Sequence, residues 1–241
     1  MTEKEKINKL KRFEKKLSER NRKKIKLMFE DFSVALINNN KFSVKIDIDY
    51  SKFEEIAKKY LSEIFYYNVH STVNFFSKLF GWQISKNKLK GIIDTVLNNH
   101  NKKYAAEKVT KITETTKKLL NKVLTDSQRD GLGLKGTFNR ILEKVKEMGI
   151  NRAKTIARTE TSMAINTTSF KTAKTAKIKK KKWIHLGGAY TSRRNHQMLN
   201  NKIINIDEYF DLGGGIRCLY PHESGLQASE VVNCNCLIIF V

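Results

Sequence analysis

Nowhere in the 241 residues is there an uncharged apolar run of the roughly 18 residues that would suggest a membrane span. Residues 1–24 are charged throughout and carry no apolar core segment, so no export signal is expected there. Cysteine is scarce. All three, Cys218, Cys234 and Cys236, fall within the last 24 residues, which is not the pattern of a secreted disulfide framework and points to synthesis in a reducing cytoplasm. The one proline, Pro221, lies in the same stretch. Also missing are a P-loop, a G-x-G-x-x-G turn after a strand, a G-x-S-x-G elbow and an H-E-x-x-H helix. The commonest signatures of nucleotide binding, serine hydrolysis and zinc proteolysis are thereby excluded. No repeat of solenoid period is present.

Acidic residues are few, 24 against 47 basic ones, for a net charge of +23. The excess is uneven. From Trp183 onward four Lys/Arg meet five Asp/Glu, so residues 1–182 carry a net +24. Any polyanion contact therefore belongs to the first three quarters of the chain. A lysine-rich solvated helix surface is the plainer alternative.

Apolar residues at three- and four-residue steps predict a long helix over Lys4–Asn38, and a broader stripe from Ile56 to Leu79 predicts a second over Ser51–Phe80. Ser51 with Glu54 forms a capping-box pattern at its start. Between them, the alternation of Phe42, Val44, Ile46 and Ile48 predicts a short strand within Lys41–Tyr50. Further helices are expected over Lys86–Leu97, Lys103–Leu124, Thr137–Met148 (ending at Gly149) and Arg152–Thr175, with a glycine-containing loop over Asp126–Gly136. A lysine-rich segment follows. After it come short strands at Trp183–Tyr190, Lys202–Ile206 and Leu237–Val241, with a turn at Gly213–Gly215. The fold class is thus α+β: a basic N-terminal helical body followed by a small, loop-rich β module. Residues 1–135 form the basic helical region. Residues 136–241 form a second unit, with helices over 137–175 and the β module over 183–241.

Three sets of residues stand out. First, Glu160 falls among Ala153, Ile156, Ala157 and Ala164 on one helical face. A carboxylate on a packing face needs a cation, and Arg193, Arg194 or His196 of the β module are the candidates for an interdomain ion pair. A catalytic use of Glu160, with Arg158 and His196, is the sharper alternative. Second, His196, Cys218, Cys234 and Cys236 are the ligand types of a Cys3His structural zinc site, with His222 as an alternative ligand to His196. Buried reduced cysteines, or a disulfide formed after release into an oxidising medium, account for the same residues. The remaining histidines, His70, His100 and His185, read as incidental. Third, Arg20, Arg22, Lys23, Lys24 and Lys179, Lys180, Lys181, Lys182 are the densest basic clusters and the candidate DNA contacts.

The order of parts in the last half carries a resemblance. Arg152-Ala153, Ile156-Ala-Arg-Thr-Glu160, Ala164 and Asn166 are followed by Lys182-Trp183 and then by Arg193-Arg194 with His196 and Leu199. Tyr220-Pro221 and Glu230-Val-Val-Asn-Cys-Asn-Cys236 complete the series. From about Gly136 to Val241 the chain resembles the head-morphogenesis (Mu F-like, minor capsid) proteins of tailed phages. The resemblance implies a structural minor head protein, not an enzyme, present in few copies. Its partners would be portal, scaffold and capsid proteins and, without sequence preference, packaged DNA, with which it can leave the head. It would occur in the host cytoplasm during assembly and then in the virion head, with no membrane contact. An enzyme or toxin acting on nucleic acid or nucleotide remains the alternative class.

Overall fold

The structure, a computed structural model, describes residues 1–41, 45–103, 105–187 and 194–241. Helix α1 (Glu3–Asn40) opens on a capping box: the Glu5 amide donates to Thr2 Oγ1 at 3.2 Å, and Glu5 Oε2 accepts from the Thr2 amide at 2.7 Å. Its apolar stripe (Leu10, Leu17, Ile25, Met28, Phe29, Phe32 and Leu36) is buried along nearly its whole length. Helix α2 (Tyr50–Phe80) begins one residue earlier than the sequence pattern suggests, because Asp49 is the cap and accepts from the Lys52 amide at 2.9 Å. It ends at Gly81, whose φ of +65° lets its amide return to the Ser77 carbonyl.

The strand expected over Lys41–Tyr50 is not there among the described residues, although 42–44 lie outside them. The reason is local. Asn40 donates to the Asp47 carbonyl and accepts from the Asp47 amide, each at 2.7 Å, taking both backbone groups that a neighbouring strand would need.

Helices α3 (Lys86–Lys103) and α4 (Ala105–Arg129) follow, and then α5 (Leu134–Thr175), the longest element at 42 residues. Two helices with a break at Gly149 were expected in its place. The chain instead runs through, and the glycine serves packing: a Cβ there would stand 3.0 Å from Phe29 Cβ, so its absence lets α1 and α5 approach closely. From Thr159 to Ala173 nearly every α5 residue is buried, whichever way it faces. Helices clothed in small residues all round take neighbours on every side. Asn21 on α1 donates to Asn68 on α2 (3.0 Å) and to Thr161 on α5 (2.8 Å), joining the three helices through a fully buried polar contact.

The β module comprises β1 (Lys180–His185), α6 (Arg194–Met198), β2 (Ile203–Asn205), β3 (Phe210–Gly213), β4 (Ile216–Cys218), α7 (Ala228–Val231) and β5 (Cys236–Phe240). One sheet has the order β2-β1-β5, antiparallel throughout, with Trp183 opposite Ile238 and His185 opposite Cys236. The other is the β3–β4 hairpin, turned by Gly213, Gly214 and Gly215, all at positive φ. No described helix is long and apolar enough to cross a membrane.

The small β module does not close on its own residues alone. The helical body makes up the difference. Trp183, Phe210, Leu237 and Ile238 share one core with Leu10, Leu17, Phe76 and Phe170. Each fully buried side chain of that size contributes roughly 2 kcal/mol of transfer free energy, so the helices and the module stabilise each other. A second core, around Phe29, Phe53 and Ile141, holds the far half of the helices together.

Candidate metal centre and basic face

Strand pairing and one short helix assemble the cysteines and histidines. Cys236 opens β5 and Cys234 stands two residues before it, with the Cys236 amide donating to Cys234 Sγ at 3.4 Å. His196, on α6, packs edge-on against Trp183 and aims Nδ1 at both sulfurs, 3.5 Å from Cys234 and 3.7 Å from Cys236. One ligand atom from each of His196, Cys234 and Cys236 lies within 4.8 Å of the others, so the three could hold a metal ion. All three are buried. The other imidazole nitrogen of His196, Nε2, meets Glu230 Oε2 at 2.8 Å, which orients the ring with Nδ1 toward the sulfurs.

The electrostatics suit a thiolate. A hydrogen bond from Cys236 holds the Cys234 thiol far below its ordinary pKa, and against the cost of burial the neighbouring His222 and His196 add to that effect. Burial works against a charged His196, but hydrogen bonds and charge from Cys234 and Glu230 outweigh it and raise its pKa. Cys218, counted with these residues from the sequence, stands outside the group of three. It lies in β4 within the apolar core, and burial pushes its thiol up to about 12. His222 is likewise not a member; its Nε2 contacts the Cys234 carbonyl at 3.0 Å. His185, expected to be incidental, brings Nδ1 to 3.3 Å from Cys236 Sγ. Only the β1–β5 register, invisible in local sequence, places it there.

Glu160 is buried as expected, but its cation comes from α4. Lys108 Nζ contacts its two carboxylate oxygens at 2.7 and 2.6 Å. Arg193 and the side chain of Arg194 lie outside the described residues, and His196 is engaged by Glu230 instead. The Lys108–Glu160 pair lines a cavity of about 320 Å³, walled on one side by Thr155, Thr159 and Met163 and on the other by Leu226 and Val232. Glu160 and His196 thus answer to separate partners. Nothing in these contacts assembles them into a shared reaction centre.

Of the basic clusters, Arg22, Lys23, Lys179 and Lys180 are exposed. Arg20 stacks over Tyr67 at 3.5 Å, and Lys24 pairs with Glu63 at 2.9 Å. Lys182 pairs with Glu3 at 2.6 Å. Lys181 must be struck from the DNA candidates. Strand alternation turns it inward, where it is fully buried and donates to the carbonyls of Ile206 and Glu208, each at 2.7 Å.

A family model described as phage Mu protein F-like matches residues 117–239, from within α4 into β5. The chain belongs to that family. Membership in the Mu F-like family points to a phage head protein. The matched segment contains Glu160, Asn166, His196 and both cysteines of the Cys234–Cys236 pair. One relative is an uncharacterized protein, YqbB, of Bacillus subtilis (strain 168), 31% identical over 126 residues. That alignment covers 51% of this chain and 41% of the relative, so the chain spans less than half the relative's length. No solved structure matches.

Proposed function

We propose that the protein is a minor head protein that acts in procapsid assembly near the portal and contacts packaged DNA without reading its sequence. The family match carries the first part of this reading. The charge distribution supports the second: residues 1–182 hold the whole positive excess, and the exposed Arg22, Lys23, Lys179 and Lys180 offer cations for phosphates. Portal, scaffold or capsid subunits are its protein partners, met in the host cytoplasm, after which it resides in the virion head. In this reading residues 1–135 form the basic helical region and 136–241 the unit shared with its family, with the DNA contacts drawn from residues 1–182.

The metal held at His196, Cys234 and Cys236 is, in this proposal, structural zinc. Sulfur-rich sets with imidazole suit that ion, and all three donors are buried. Mass spectrometry of purified virions, with copy counting, tests the assembly role: a low, fixed copy number in filled heads is expected, and absence from both procapsids and virions would end the reading. For DNA, duplex affinity of the purified chain should fall steeply with salt, and a flat salt dependence would exclude phosphate neutralisation.

A further inference from the structure

We propose that the fourth metal ligand is His185 and not Cys218, giving a Cys2His2 site of His185 Nδ1, His196 Nδ1, Cys234 Sγ and Cys236 Sγ. The assignment rests on the zinc reading above and deepens it.

The geometry is that of tetrahedron edges. With bonds of about 2.3 Å to sulfur and about 2.0 Å to nitrogen, tetrahedral zinc sets sulfur and nitrogen ligands about 3.5 Å apart. Three such edges stand ready: His196 Nδ1 to Cys234 Sγ at 3.5 Å, His196 Nδ1 to Cys236 Sγ at 3.7 Å, and His185 Nδ1 to Cys236 Sγ at 3.3 Å. The last of these is built into the sheet, because His185 and Cys236 are directly opposed partners in the β1–β5 ladder. His185 is not within 4.8 Å of all three other donors, and its ring is half-buried beside Cys236.

The two alternatives, Cys218 and His222, stand outside the group of three. Cys218 lies on the β3–β4 hairpin within the apolar core. His222 contacts the Cys234 carbonyl through Nε2 and so steadies the turn that presents Cys234. Glu230, on His196 Nε2, is the outer carboxylate that ligating histidines usually have. The four ligands come from β1, α6, the turn before β5 and β5 itself. One ion would therefore tie His185 and His196 to the terminal strand.

The test uses the full chain, purified without added metal, with elemental analysis, zinc competition titration and the spectrum of the cobalt(II)-substituted protein. The expected result is one zinc per chain and a cobalt spectrum whose sulfur-to-metal intensity corresponds to two thiolates. His185→Ala should weaken zinc binding by more than about 100-fold, beyond what loss of an outer-shell partner causes. His185→Cys should restore tight binding and raise the cobalt signal to three thiolates. Cys218→Ser should leave both stoichiometry and spectrum unchanged. Zinc retained at parental affinity in a folded His185→Ala protein overturns the assignment, and so does a three-thiolate spectrum in the parent. Failure of the parent to bind zinc or cobalt at all overturns the zinc reading, and the ligand assignment with it.

Discussion

The side chain of Asn166 acts as a neighbouring strand for Ile238. Its Oδ1 accepts the Ile238 amide at 3.1 Å while its Nδ2 donates to the Cys236 carbonyl at 3.0 Å. Among the described residues strand β5 has β1 on one side only, and an unpaired buried edge would leave backbone groups unsatisfied. One residue of α5 thus caps the edge that carries the cysteines. Asn166→Leu should destabilise the protein by about 2–4 kcal/mol, since two buried backbone groups lose their partners at once. Urea unfolding checks this, and a loss under about 1 kcal/mol would show that the edge finds other partners.

Gly149 and Gly91 give opposite expectations for one substitution. In Gly149→Ala the new methyl would stand 3.0 Å from Phe29 Cβ, in the buried contact of two long helices. Neither helix can shift without disturbing the core around Phe29 and Ile141, so the substitution should destabilise by about 1–3 kcal/mol. Gly91, exposed within α3, has nothing within 4 Å of its missing Cβ. There Gly91→Ala should stabilise by roughly 0.5–1 kcal/mol through helix propensity. Thermal unfolding of both variants decides it; equal shifts would mean that the close approach at Gly149 has no energetic weight.

These residues show where the sequence was readable. The stripes of α1 and α2, the helix-rich body and the position of β5 all follow from local periodicity, which records which face of an element is buried. The C-x-C pair with His196 was readable for a related reason, since two donors lie two residues apart and the third belongs to a short recognisable motif. Gly149 misled because a glycine that permits close packing looks the same as one that ends a helix. Lys181 looked like part of a solvated lysine run, and only pairing on both sides of β1 shows which lysine turns inward. Lys108 and His185 were beyond reach. Their partners lie 52 and 51 residues away, and the pairing depends on tertiary packing.

Lys108 and Glu160 should behave as a buried pair in a double-mutant cycle. Their side chains are 17% and 7% exposed, so neither charge has much water to fall back on. Removing one partner strands the other: Lys108→Met or Glu160→Gln should each cost roughly 3 kcal/mol. The double variant should cost clearly less than the sum of the two. Additive losses in urea unfolding would mean that each residue is stabilised by something other than its partner.

Lys181 supplies a pH dependence whose sign can be worked out. Its ammonium is fully buried, donating to the carbonyls of Ile206 and Glu208 and lying 5.0 and 5.4 Å over the rings of Phe170 and Phe210. Burial lowers its pKa to about 8, against 10.5 for the ordinary side chain. Below that window both folded and unfolded chains carry the proton, and the folded state bears the full cost of the buried charge. Between about 8 and 10.5 the unfolded chain still holds a proton that the folded chain has released. Stability attributable to Lys181 therefore rises with pH across this range, by at most about 1.4 kcal/mol per pH unit, and levels off above it. Other lysines and tyrosines titrate nearby, so the quantity to measure is the difference in unfolding free energy between the parent and Lys181→Met from pH 7 to 10. That difference should shift in the parent's favour as pH rises. A constant difference would place the Lys181 pKa in the ordinary range and remove the buried-charge argument.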